Sequence, residues 1–172
     1  MAFERLRYIL NALARETYRL DVGRPAPCFR LPDQSGKIHD LTAYRGRWLV
    51  LYFYPKDDTP GCRVEACSFQ QDLSRFSKMG VALLGVSTDP ISSHLKFAAK
   101  FNISFPLLAD ETAEVAASYG SLFKLGPLKF AKRRTFIIDP DGMIAEAFHE
   151  VDPEQHSEEV AEALLKLDAA TS

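Results

Sequence analysis

The chain has 172 residues, 47% of them apolar and 26% charged, with a net charge of −2. That length suits one domain burying about two-thirds of its unfolded surface, and that balance gives no pull toward nucleic acid or an anionic membrane. No apolar run nears the roughly 20 residues of a membrane span, and three cysteines cannot all pair within one chain. The sequence therefore points to active thiols in a reducing compartment, the cytoplasm, and not to a disulfide scaffold.

Residues 1–20 read as an N-terminal extension to a domain over 21–172. Phe3, Leu6, Ile9, Leu10 and Leu13 recur at helical spacing among Arg5, Arg7, Arg15 and Arg19. The pattern predicts an amphipathic helix that packs on the body or on a partner. Glu4 and Glu16 count against a transit peptide, and no cleavable secretory core is present. An extended piece, Cys28 to Leu31, follows between turn-rich segments.

Trp48 to Tyr54 is a continuous apolar and aromatic run, as in a strand covered on both faces. After Pro55-Lys56-Asp57-Asp58, a helix is predicted from the Thr59-Pro60-Gly61-Cys62 turn to about Lys78, with Val64, Phe69, Leu73 and Phe76 on its apolar side. Val81 to Ser87 is a second buried strand, and Asp89-Pro90 opens a helix with Leu95, Ala98, Ala99 and Phe101 inward. Phe105 to Leu108 reads as a short edge strand because of Pro106, and Thr112 to Tyr119 as a short helix ended by Gly120. Thr135 to Ile138 and Met143 to Val151 form a hairpin across Asp139-Pro140-Asp141-Gly142. A last helix starts at Asp152-Pro153 and buries Val160, Ala163, Leu164 and Leu167. Strands alternating with helices and closed by a hairpin argue for a three-layer α/β sandwich with a mixed central sheet.

The chemistry concentrates at Cys62. With Thr59 as N-cap and Pro60 as first helical residue, Cys62 is the third residue of its helix. Backbone N–H groups without partners and the positive end of the macrodipole favour a thiolate there, and the thiolate is the reactive form. Gly61 leaves the sulfur open to approach, and Arg63 adds a neighbouring positive charge. Cys67 lies five residues on, which on an ideal helix separates the Cα atoms by roughly 8–9 Å. A disulfide needs about 4.4–6.8 Å. Either Cys67 is structural or its helix turn unwinds in each cycle. Cys28 reads as a packed thiol without catalytic duty. His39, His94, His149 and His156 are scattered without ligand spacing, so no metal is expected. The cluster Lys129, Lys132, Arg133, Arg134 is too short for a nucleic-acid patch, though one arginine could turn inward and hold the thiolate.

Around these residues the chain resembles the peroxiredoxins, specifically the Q-type or bacterioferritin-comigratory-protein group. The signature is Pro55-x-x-x-Thr59-x-x-Cys62, supported by Gly23-x-x-Ala26-Pro27, Gly85-Val86-Ser87-x-Asp89, Phe105-Pro106-Leu107-Leu108-x-Asp110 and Arg133-x-Thr135-Phe136-x-Ile138-Asp139. The resemblance implies a thioredoxin-like fold, no cofactor, and reduction of hydrogen peroxide and alkyl hydroperoxides. It implies that Cys62 is the peroxidatic nucleophile and that Thr59 hydrogen-bonds the sulfur and the peroxide. Pro55 would shield the pocket, and Arg133, with Arg134 as the alternative register, would hold the thiolate. Cys67 would be the resolving cysteine of an intramolecular disulfide reduced by thioredoxin or a similar dithiol. Arg63 departs from the group's common threonine, and Cys28 stands where an acid is more usual. The N-terminal extension leaves monomer or homodimer open. Two other readings use the same cysteines: a non-catalytic peroxide sensor, and a thiol–disulfide oxidoreductase. The latter usually carries C-x-x-C, whereas four residues separate Cys62 from Cys67.

Overall fold

The structure, a computed structural model, describes residues 19–171. The expected N-terminal helix falls almost wholly outside the described residues. Leu20 is buried among the hydrophobic side chains of the domain.

Five strands form the central sheet. Strand β3 (Leu49–Phe53) runs parallel to β4 (Ala82–Ser87), which runs parallel to β5 (Leu107–Ala109). On its other side β3 pairs antiparallel with β8 (Arg134–Ile138), and β8 with β9 (Ile144–Phe148). Every residue of β3 is buried, which explains its unbroken apolar run. The β8–β9 turn closes with Gly142 at φ 83°, while the Asp139 carboxylate accepts from the Asp141 and Met143 N–H groups at 2.9 Å each.

Side-chain alternation divides the core. Val50, Tyr52, Leu83, Leu107 and Ile137 face helices α1 (Pro60–Lys78), α2 (Ile91–Phe101) and α4 (His156–Thr171). Leu49, Leu51, Phe53, Leu84, Val86 and Phe136 face the other way, under the 3-10 turn Leu41–Tyr44 and the short helix α3 (Glu114–Ser118). The mixed sheet with helical cover on both faces agrees with the sequence.

Several details differ from it. On α2 the inward residues are His94, Phe97 and Ala98, whereas Leu95 is 56% exposed and Ala99 also faces out. A buried polar network accommodates His94, so the apolar count misjudged the face. Val64 on α1 is likewise exposed, and Glu65 turns inward in its place. Asp152 and Pro153 form a turn, with the helix proper starting at His156. Cys28 is exposed, not packed, because strand alternation turns Phe29 inward instead. Two hairpins lie beyond the main sheet: β1 (Arg30–Pro32) with β2 (Ile38–Asp40), and β6 (Leu122–Leu125) with β7 (Leu128–Ala131).

Candidate active site

Strand β3 delivers the chain through Tyr54 and Pro55 into the first turn of α1. Thr59 holds the N-cap backbone position (φ −82°, ψ 152°), and its carbonyl accepts the Arg63 N–H at 2.9 Å. Its hydroxyl does not cap the helix. It donates to the Lys56 carbonyl at 3.0 Å, across the loop, and not to the sulfur. The first-turn N–H groups therefore have no side-chain cap from Thr59.

Cys62 is 2% exposed, and the guanidinium of Arg133 covers its sulfur, with Nη2 donating to Sγ at 3.3 Å. Pleat parity decides which arginine arrives. Arg133, Thr135 and Ile137 share the side of β8 that faces α1, while Arg134 points to the opposite face and donates to the Gly120 carbonyl. Gly61 makes the approach possible, since a Cβ there would lie 3.0 Å from Arg133 Nη2.

Glu65, one turn beyond Cys62, completes the cluster: Arg133 Nη1 donates to its Oε2. Glu65 is fully buried, and burial pushes its carboxyl up to about 7 against the opposing pull of Arg133. Burial works against the charge on Arg133, but Glu65 and Cys62 outweigh it and hold the guanidinium protonated. Glu65 Oε1 and the Tyr52 hydroxyl have no protein partner, and the Tyr52 ring lies against Gly85. Beneath Arg133, fully buried His156 meets the Thr135 hydroxyl at 2.7 Å. Arg63 points away from the sulfur, 3.8 Å from Asp58 and over the Phe101 ring.

Cys67 is half-buried on the intact helix α1, and all three cysteines are free thiols. The structure thus gathers Cys62 and Arg133, with Pro55 and Thr59 bounding the preceding loop, and leaves Cys67 on the intact helix. The sequence reading missed Glu65, although its spacing from Cys62 and Phe69 puts all three on one helix face. Among the described residues, no group of three or more His, Cys, Asp or Glu is arranged to hold a metal ion, and no helix is long and apolar enough to cross a membrane.

A sulfur at a helix N-terminus under a paired arginine, on a mixed sheet, is a candidate site for a thiol-dependent oxidoreductase. The AhpC/TSA family matches residues 22–147, and the chain belongs to it. It is 40% identical to peroxiredoxin bcp of Coxiella burnetii, over 82% of this chain and 96% of that one. It is 35% identical to the chloroplastic peroxiredoxin Q of Populus jackii, over 87% of this chain and 70% of that one. Among solved structures, the Xanthomonas campestris bacterioferritin comigratory protein, studied for its alkyl peroxide reduction, superposes with a TM-score of 0.79 at 32% identity. That match covers 86% of this chain and 99% of the other. The fold is the thioredoxin-like one of the peroxiredoxins, and the chain is a peroxidase of their Q and bacterioferritin-comigratory type.

Proposed function

We propose that Cys62 is the peroxidatic cysteine of a two-cysteine cycle, with Arg133, Thr59 and Pro55 forming its peroxide pocket and Cys67 resolving the product. The observation that carries this reading is the Arg133 Nη2 to Cys62 Sγ contact of 3.3 Å at the third residue of α1. The guanidinium and the uncapped helix N-terminus put positive charge where a thiolate and a peroxide oxygen would both sit.

In the first step the Cys62 thiolate attacks one oxygen of ROOH and the O–O bond breaks. The RO⁻ fragment takes a proton and leaves as water or alcohol, and Cys62 becomes a sulfenic acid. The Cys67 thiol then displaces water from that sulfenic acid to form the disulfide. Because α1 is regular from Pro60 to Lys78, its first turns must open for the sulfurs to meet. The missing side-chain cap at Thr59 eases that opening, since a capping bond is worth about 1 kcal/mol. A thioredoxin-type dithiol in the cytoplasm then attacks the disulfide, leaving oxidised and restoring both thiols.

Organic hydroperoxides as well as hydrogen peroxide fit the surroundings. An apolar cleft of about 370 Å³, lined by Pro55, Phe123, Phe130 and Ala131 between Lys56 and Lys132, shares Pro55 with the pocket loop and could take an alkyl tail. Steady-state NADPH consumption with thioredoxin, its reductase and either peroxide is the test. Sustained turnover that disappears in Cys62→Ser is expected. A single stoichiometric oxidation without turnover would make the protein a sensor instead.

A further inference from the structure

A second buried polar cluster lies on the far side of the loop that carries Pro55 and Thr59. Its centre is Asp57, whose side chain is 4% exposed, facing His94 of α2, which is fully buried. His94 Nδ1 lies 2.8 and 3.0 Å from the two carboxylate oxygens of Asp57. The Tyr54 hydroxyl donates to Oδ1 at 2.7 Å and the Ser93 hydroxyl to Oδ2 at 2.7 Å. The Asp57 N–H donates to Asp89 Oδ2 at 2.9 Å, and Asp89 in turn accepts from the Ser87 hydroxyl of β4. His94 Nε2 lies 3.1 Å from the Leu108 carbonyl of β5, which can only accept, so Nε2 carries hydrogen. A hydrogen bond therefore joins Nδ1 to the carboxylate.

We infer that the Asp57–His94 pair is a positioning device for the peroxide step. It fixes the Pro55–Thr59 loop against α2, and His94 acts through Asp57 without touching substrate. The backbone shows why a fixture is needed. Asp58, between Asp57 and Thr59, has φ 57°, in the left-handed region that most residues with a Cβ avoid and Asp enters more readily, and its carboxylate accepts from Lys100 of α2 at 2.7 Å. Such a conformation persists only when its surroundings over-determine it. Asp57 accepts from three side chains and donates its own N–H to a fourth, which adds to that constraint from the residue before. The next residue but one is Thr59, where α1 begins. If the first turns of α1 open in each cycle, the loop must stay in place while they do, so that Thr59 and Pro55 face Cys62 when the helix re-forms. The tether answers this because it runs through β4 and α2 and includes no residue of α1.

This role rests on the peroxidase reading above, and amide isosteres of His94 test it separately. In His94→Asn the side-chain nitrogen takes the place of Nδ1, keeping the bond to Asp57 and losing that to Leu108. In His94→Gln the nitrogen takes the place of Nε2, keeping Leu108 and losing Asp57. The second-order rate of Cys62 oxidation by hydrogen peroxide is followed in each folded variant beside its urea midpoint. His94→Gln is expected to slow Cys62 oxidation about tenfold or more, as a small misplacement of pocket groups does. His94→Asn should stay within about threefold of wild type, although both variants lose stability. Asp57→Asn should slow the reaction to the same extent, and adding His94→Gln to it should change nothing further. Should a histidine variant fail to fold, Ser93→Ala removes one donor from Asp57 and should also slow Cys62 oxidation. Equal rates for the two histidine variants, rates that track stability alone, or an unchanged rate in Ser93→Ala would overturn the inference. Absence of fast oxidation in wild type would instead remove the peroxidase reading, and this role with it.

Discussion

Replacing Arg133 with methionine separates the chemistry of the pocket from its stability. In the wild type Glu65 is fully buried and burial raises its carboxyl to about 7, with Arg133 pulling the other way. Without the cation, that carboxyl rises further. Unfolded Glu65 ionises near the ordinary carboxylate range, so both proteins lose stability as pH climbs from about 4.5 to 7. Above pH 7 the wild type levels off, because folded Glu65 is now ionised and paired. The variant keeps losing about 1.4 kcal/mol per pH unit until its own Glu65 ionises. Below pH 7 the difference between the two proteins should be about 1–2 kcal/mol, the loss of a hydrogen bond and some packing. By pH 8.5 it should approach the 3–5 kcal/mol typical of a broken buried pair, as an order of magnitude. Urea unfolding at half-unit steps from pH 5.5 to 8.5 reads this directly. Across the same range, Cys62 oxidation by peroxide should fall by about 100- to 1,000-fold, the usual effect of removing a donor aimed at transition-state charge. A stability difference that does not change with pH would refute the Glu65 argument, and a rate loss under about threefold would refute the role of Arg133.

Gly61→Ala places a methyl group 3.0 Å from Arg133 Nη2. It should push the guanidinium off the sulfur and slow the second-order oxidation of Cys62 by peroxide about tenfold. Cys67→Ser should leave the first oxidation of Cys62 at the wild-type rate. Mass spectrometry should then find sulfenic and sulfinic acid at Cys62 in place of an intramolecular disulfide. Burial pushes the His156 imidazole below its usual value, so the folded protein resists protonating it. The stability this gives is complete above about pH 6.5 and lost as pH falls below it. His156→Gln should flatten that acid-side slope in urea titrations.

Much of the site was legible because its signals are local. A buried aromatic strand, a proline-glycine turn and a cysteine at the third helical position sit within fourteen residues, 49–62, and each follows from backbone chemistry. The choice between Arg133 and Arg134 was not local, since it depends on the parity of β8 against β3, where Phe53 pairs with Arg134. His94 carries no local signal, because its partner Asp57 is 37 residues away in the loop and the pair has no metal-ligand spacing. Counting Leu95 as core followed from the same gap, since a polar residue pointing inward makes sense only once its partner is known. Glu65 was readable in principle, sharing a helix face with Cys62 and Phe69, but charged residues are assigned to solvent by default. The β6–β7 hairpin was hidden by its mostly exposed, lysine-interrupted strands, which bury little and so show no clear alternation.

The central claim is that Cys62 reduces peroxide and Cys67 resolves it through an opening of α1. One equivalent of hydrogen peroxide added to the fully reduced protein, with rapid acid quench, thiol counting and peptide mapping, tests it most directly. The account predicts prompt loss of two thiols, a Cys62–Cys67 linkage, and Cys28 still free. Prompt oxidation with Cys62 joined to Cys28, or to another chain, would contradict the resolving step. No prompt change at Cys62 would contradict the whole account.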